Sequence, residues 1–249
     1  MRPSFAPYAL SAALLLGGCH SVPPATDEAN KRYAHEYRQT VSEASNQGLL
    51  DSTSTDAKRL HAVTDRLLAQ VKKLRPESSQ WQWEVNLIRK EELNATSWPG
   101  GKILVYTGLI TTLELTDDEI AAMMGNVIAS AFNEMPQAYS SGALTGVFDS
   151  LLGISDEDRE LADLSITVNL REYTRLSNKK EADLFGLELA ARAGYNPNAA
   201  VTLWQKLIEN VQAPEYVGEA YALLLKNRLA SFKAAVPEVM PLYQNARGF

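Results

Sequence analysis

The sequence predicts an α+β fold, mainly helical, and three observations carry that reading. Apolar residues recur at three- and four-residue steps over much of the chain. The period falls to two in only two stretches, WQWEVNLIRK (81–90) and KILVYTG (102–108), both rich in β-branched or aromatic residues. Beyond residue 108 only helical patterns follow. The result is a helical array around a small sheet of two or three strands.

The chain opens MRPSFAPYALSAALLLGGCH. Arg2 supplies a positive start, and Ala9 to Leu16 is an apolar run too short to span a bilayer as a permanent helix. Residues 1–18 are therefore expected to be a signal peptide. Leu16-Gly17-Gly18-Cys19 resembles a bacterial lipobox, which makes Cys19 the expected lipidation site and the anchor to a membrane. His20, rather than Asp, follows the cysteine, and this favours the outer membrane of a Gram-negative bacterium, on its periplasmic face. Residues 19–30 carry that cysteine and a small, polar, Pro-containing tether. Residues 31–249 are long enough for one well-buried domain. With a single cysteine no internal disulfide forms. The net charge of -6, without a basic patch, argues against nucleic acid as a partner.

The elements follow in order. Residues 27–47 are polar and helical in pattern. Residues 54–74 form a clearer amphipathic helix, with Leu60, Val63, Leu67, Leu68, Val71 and Leu74 on one face. Ser54 caps it and Pro76 stops the chain just beyond. Between the two strand patterns Pro99-Gly100-Gly101 marks a turn. Thr116-Asp117-Asp118-Glu119 is a capping box that starts a helix to about Met135. Residues 137–153 are Gly/Ser-rich and read as a flap, with Gly142 and Gly146 as hinges. Helices are expected at 156–176 after Ser155, at 179–193 before Gly194, and after Asn196-Pro197. Two more, at 214–233 and 236–246, complete the array. Asn126 and Ser130 share a face of the apolar helix that the capping box starts, which is an odd place for two small polar groups.

The stretch LNATSWPGGKILVYTGLI…TDDEIAAMMGNVIASA resembles the zinc metallopeptidases of the M-48 family, whose members include HtpX-like proteases and periplasmic lipoproteins of the BepA and LoiP type. Asn94-Ala95, Pro99-Gly100-Gly101 and Gly108-Leu109 stand where the family has an Asn-Ala, a turn and a Gly-Leu ahead of a helix carrying G-H-E-x-x-H. EADLFGLELAARAGYNPNAA (181–200) and NRLASFKAAVPEVMPLY are similar to later family motifs, so the likeness covers most of residues 55–246. It implies a gluzincin-like domain and a zinc-dependent endopeptidase.

The same alignment puts that activity in doubt. With Gly125 on the motif glycine, Asn126 stands at the first zinc-binding His, Val127 at the catalytic Glu and Ser130 at the second His. Lys179 stands at the third ligand, a Glu, four residues before Asp183, which matches the family's supporting carboxylate. The Thr-His-Pro of the family is also absent, since 220–223 read Ala-Tyr-Ala-Leu. Zinc needs imidazole or carboxylate donors, and the reaction needs a base to take a proton from the bound water. Amide, hydroxyl, alkyl and ammonium groups supply neither. The histidines of the chain are His20, His35 and His61, and none is placed to replace the lost ligands.

The sequence thus predicts no catalytic residue, no metal ligand and no cofactor, although zinc is what the family implies. The function expected is non-hydrolytic binding of polypeptide or a partner in outer-membrane protein quality control, with outer-membrane or periplasmic proteins as partners. The peptide-binding edge is expected on the strand 102–107, through Ile103, Leu104, Val105 and Tyr106. The alternative is an active metalloendopeptidase with an atypical site. A Lys179–Asp183 pair, i and i+4 on one helix, is expected to take over part of the missing metal's charge.

Overall fold

The computed structural model describes residues 27–98, 100–133, 176–210 and 218–248; for 27–32, 133, 176–181 and 218–225 it describes the backbone alone. Helix α1 (Asp27–Asn46) leads to strand β1 (Leu50–Asp51) and helix α2 (Thr55–Leu74). A 3-10 turn over Pro76–Gln80 brings the chain to β2 (Glu84–Ile88), β3 (Ala95–Trp98) and β4 (Lys102–Tyr106). The helices α3 (Thr107–Thr111), α4 (Asp117–Asn133), α5 (Leu176–Arg192), α6 (Asn198–Asn210) and α7 (Gly218–Arg247) follow. The class is α+β and mainly helical. The expected flap at 137–153 and the expected helix at 156–176 fall outside the described residues, apart from the last residue of that helix.

The sheet is mixed and has four strands rather than two or three, in the order β1-β2-β4-β3. Strand β4 runs parallel to β2 and antiparallel to β3, with Ile103 opposite both Val85 and Ser97. The segment Ala95–Trp98, which the sequence leaves between the two strand patterns, is a strand. Gly100 and Gly101, with φ of 84° and 83°, reverse the chain between β3 and β4 in a conformation that other residues resist. Residues 81–83, expected in a strand, precede β2. Trp81 instead stacks on Phe132 of α4 with ring centroids 4.5 Å apart.

This topology corrects the expected binding edge. Strand β4 lies between two neighbours, so Ile103, Leu104, Val105 and Tyr106 are on an interior strand. Its composition gives the reason. Ile103 and Val105 are fully buried against α2 and α4 in the main core, while Leu104 is buried on the other face with Tyr37, Ala44 and Ile88. A continuous apolar run marks a strand covered on both faces, which is a central position. Strand β3 is the outer strand on that side and pairs with β4 alone among the described residues.

Helix α1 covers the second face of the sheet. The Tyr37 ring meets Trp98 edge-on at 5.6 Å, and its hydroxyl accepts a hydrogen bond from Asn86 Nδ2 at 2.8 Å. The main core joins α2, the sheet, α4, α5, α6 and α7. Each fully buried Leu or Ile in it, such as Leu60, Ile120 and Ile128, contributes about 2 kcal/mol of transfer free energy. Ser54 caps α2 as expected, its hydroxyl accepting from the Ala57 amide at 3.0 Å. Asn196 caps α6, its side chain accepting from the Asn198 amide at 3.0 Å.

Helix α7 differs from expectation by running unbroken through Pro237 and Pro241, where two helices were predicted. The prolines are four residues apart on one exposed face. The carbonyls that lose a partner, at Lys233 and Pro237, belong to exposed residues and are solvated, so the helix continues at the cost of two bonds.

Two contacts fix α4. The capping box forms as read: the Glu119 carboxylate accepts from the Thr116 amide at 2.9 Å, and Thr116 Oγ1 accepts from the Glu119 amide at 3.3 Å. Glu119 also accepts from Thr202 Oγ1 and Lys206 Nζ of α6, both at 2.8 Å. Further along, α4 crosses α5 at Gly125 and Gly186, where a Cβ on Gly125 would lie 2.4 Å from the Gly186 carbonyl oxygen. Only two hydrogen-atom side chains permit that approach.

Two expected outcomes follow from these contacts. Gly125→Ala forces α4 and α5 apart and should lower stability by at least about 2 kcal/mol, read as a lower urea midpoint; an unchanged midpoint would contradict the crossing. Burial alone would raise the Glu119 carboxyl, but the Lys206 ammonium, the Thr116 groups and the Thr202 hydroxyl outweigh it and hold it below its ordinary 4.5. Its stabilisation is therefore present above that value and lost as pH falls through the lower folded value. Lys206→Met should cost about 1 kcal/mol near neutral pH, with the difference from wild type shrinking in acid. An equal difference at both pH values would show that Glu119 is not the group involved.

Candidate functional site

The face of α4 that carries Asn126 and Ser130 is half-buried, along with Ala122 one turn earlier. The intervening residues Met123, Met124, Val127, Ile128 and Ala131 are buried. The two polar groups thus line a partly open wall, and Val127 fills core space at 7 % exposure. The expected oddity of a polar pair on a core-facing stripe disappears once the stripe is seen to border solvent. Strand β3, the outer strand of the sheet, packs against this helix.

The Gly125–Gly186 crossing sets α4 close enough to α5 for direct side-chain contact. Asn126 Nδ2 donates to Asp183 Oδ1 at 2.6 Å. Asp183 is almost fully buried and receives a second partner from α7: Arg228 Nε donates to Oδ2 at 2.6 Å and Nη2 to Oδ1 at 2.5 Å. This two-pronged geometry is the strongest form of carboxylate pairing. The Arg228 guanidinium also lies 4.2 Å from the centroid of the Trp204 ring, which stacks on Phe232. A buried charge pair is tolerated when its members hydrogen-bond one another well, and here both Asp183 oxygens are paired with Arg228 Nε and Nη2.

The structure therefore brings together Asn126 and Asp183 and adds Arg228 and Trp204, which the sequence reading did not single out. A signal was available. Arg228, Phe232, Ala235 and Val236 form the buried stripe of α7, so a guanidinium sits where the helical period demands an apolar residue. Such a charge must have a buried counterpart. Lys179 lies one turn before Asp183 in α5, and its side chain is outside the described residues, as is the expected Lys179–Asp183 pair. Cys19 is likewise outside them. His35 and His61 are exposed on α1 and α2. Among the described residues no three His, Cys, Asp or Glu side chains gather as a metal-holding group, and no helix is long and apolar enough to cross a membrane.

Chemically, the described face offers an amide at 126, an alkyl group at 127 and a hydroxyl at 130. These form hydrogen bonds and apolar contacts, and none exchanges a proton near neutral pH. Both Asp183 oxygens are engaged by Arg228.

Comparison with known proteins extends the picture. The mitochondrial metalloendopeptidase OMA1 of Arabidopsis thaliana is 31% identical over 128 residues, covering 50% of this chain and 26% of the relative. A putative beta-barrel assembly-enhancing protease of Vibrio cholerae is 28% identical over 156 residues, covering 57% and 31%. The beta-barrel assembly-enhancing protease of Escherichia coli strain K12 is 24% identical over 173 residues, covering 63% and 35%. The chain thus spans about a quarter to a third of the length of these relatives. The description of peptidase family M48 matches residues 54–238, from the cap of α2 to the last third of α7. On that match, supported by the fold, the chain belongs to peptidase family M48.

Proposed function

We propose that this member of the family binds extended polypeptide at the cleft between β3 and α4 without hydrolysing it. The observation that carries the reading is the side-chain set on α4. In the proposed alignment Asn126 and Ser130, on the half-buried face of α4, take the positions of the family's two His ligands, and the buried Val127 takes that of its base. Zinc does not fit that set, because an amide and a hydroxyl are poor ligands and Val127 cannot take a proton from water. Lys179 at the third ligand position would add a positive charge. No hydrolytic step is therefore derived. Pairing of a peptide backbone with a sheet edge requires neither metal nor base. The outer strand β3, beside α4, is the edge suited to it, in place of β4.

The setting we propose is the periplasmic face of the outer membrane, with a lipid on Cys19 and residues 19–30 as tether. Protein quality control in that compartment is the proposed role, with outer-membrane or periplasmic proteins as clients. Relatives bearing the name beta-barrel assembly-enhancing protease support a bacterial envelope setting, whereas the mitochondrial OMA1 relatives support the family alone. A second reading, an M48 metalloendopeptidase with an atypical site, is favoured by the family match itself.

Two measurements separate these readings. Residues 20–249, purified and dialysed, should retain no stoichiometric zinc, melt at the same temperature with and without chelator, and leave casein uncut. One zinc per chain together with chelator-sensitive casein cleavage would establish the second reading. For the binding role, photo-crosslinkers at Ala95 and Thr96 of β3 in the living envelope should capture outer-membrane or periplasmic proteins, and those at Lys58 and Lys72 on exposed α2 should not. Adducts confined to α2 would move the partner surface away from the cleft, and adducts of β3 to the chain itself would mean that the edge is internally covered.

A further inference from the structure

Asp183 joins three helices. It is 6 % exposed, Arg228 is 9 % exposed, and the Asn126 amide completes the group from the third side. The carboxylate and the guanidinium cancel in charge. Between these two groups no divalent cation is needed to offset the charge. In a zinc site of the family's type, an imidazole that binds metal through one nitrogen commonly donates its other N–H to a carboxylate, which fixes the ring. Asn126 makes that same kind of donation to Asp183 at 2.6 Å with its carboxamide.

We infer that Asn126, Asp183 and Arg228 form a metal-independent clamp beneath the cleft, in which Asn126 supplies the N–H donor that an imidazole would supply at its helix position. The inference rests on the reading that the chain holds no zinc. The clamp ties α4 to α5 and α7 and keeps the wall of the cleft in place beside β3. It explains why an amide stands at 126. An aliphatic residue there would leave the buried carboxylate one donor short, and a lysine or arginine would add a second cation. Trp204 confines the guanidinium from its other side, so that Arg228 reaches Asp183 in one orientation.

The test is a set of melting midpoints on residues 20–249, each with and without chelator. Asn126→Leu removes one hydrogen bond to a charged group and should lower the midpoint by roughly 5 °C. Asn126→His keeps a donor at that place and should lie well above Asn126→Leu. Arg228→Met strands the carboxylate and should lower the midpoint by about 10 °C or prevent folding. Asp183→Leu combined with Arg228→Met removes the whole pair and should recover most of that loss. In this double variant, adding Asn126→Leu should cost nothing further. An Asn126→Leu loss of equal size in both backgrounds would overturn the clamp, as would an Asn126→His as damaging as Asn126→Leu. A wild-type midpoint that falls with chelator would overturn the metal-independence, and with it the zinc-free reading, whatever the variants show.

Discussion

The crossing of α4 and α5 at Gly125 and Gly186 is the constraint on which the rest of the site depends. With the Gly186 carbonyl oxygen 2.4 Å from where a Gly125 Cβ would stand, any side chain at either place separates the helices. Their close approach puts Asn126 within hydrogen-bonding reach of Asp183. It also buries Asp183 deeply enough that Arg228 must accompany it, and Arg228 brings α7 and the Trp204–Phe232 stack into the same group. One steric permission thus organises three helices, and the sheet closes around them through β3 packed on α4.

The capping box and its α6 partners hold the other end of α4. Thr116 and Glu119 satisfy one another's backbone groups, and Lys206 neutralises the buried carboxylate. Helix α4 is therefore fixed at its start by charge and capping, and in its middle by backbone contact. Neither of these two anchors involves Asn126 or Ser130, and Asn126 adds a third tie through Asp183. A family fold can in this way persist while the residues on its working face change. On that face Asn126 hydrogen-bonds Asp183.

Much of this was legible in the sequence. The mainly helical α+β class, the Ser54 and Asn196 caps, the capping box and the span of α2 all follow from local periodicity and turn chemistry, and each is where those rules place it. The misreadings share a cause, which is that they depend on distant partners. The run Lys102–Tyr106 declares a strand, but its interior place is set by β2 and β3 on either side, and only its double-sided apolar character hinted at that. Ala95–Trp98 is a strand because β4 pairs with it, and its short, partly polar run carries no strand signal of its own. Pro237 and Pro241 would end most helices, yet both lie on the exposed face of α7, where a missing backbone bond costs least. The partner of Asp183 was sought four residues away at Lys179, while the described one, Arg228, is 45 residues away and buried. An arginine on the apolar stripe of a helix was the clue.

The proposed clamp holds α4, α5 and α7 together with side chains alone. A crystal structure of residues 20–249 grown with added zinc, with diffraction measured on both sides of the zinc absorption edge, tests it most directly. No anomalous peak is expected beside α4, and the Asn126 amide should remain bonded to Asp183 with Arg228 on both its oxygens. An ordered zinc on that helix face, coordinated by groups at 126, 130 and 179, would contradict it.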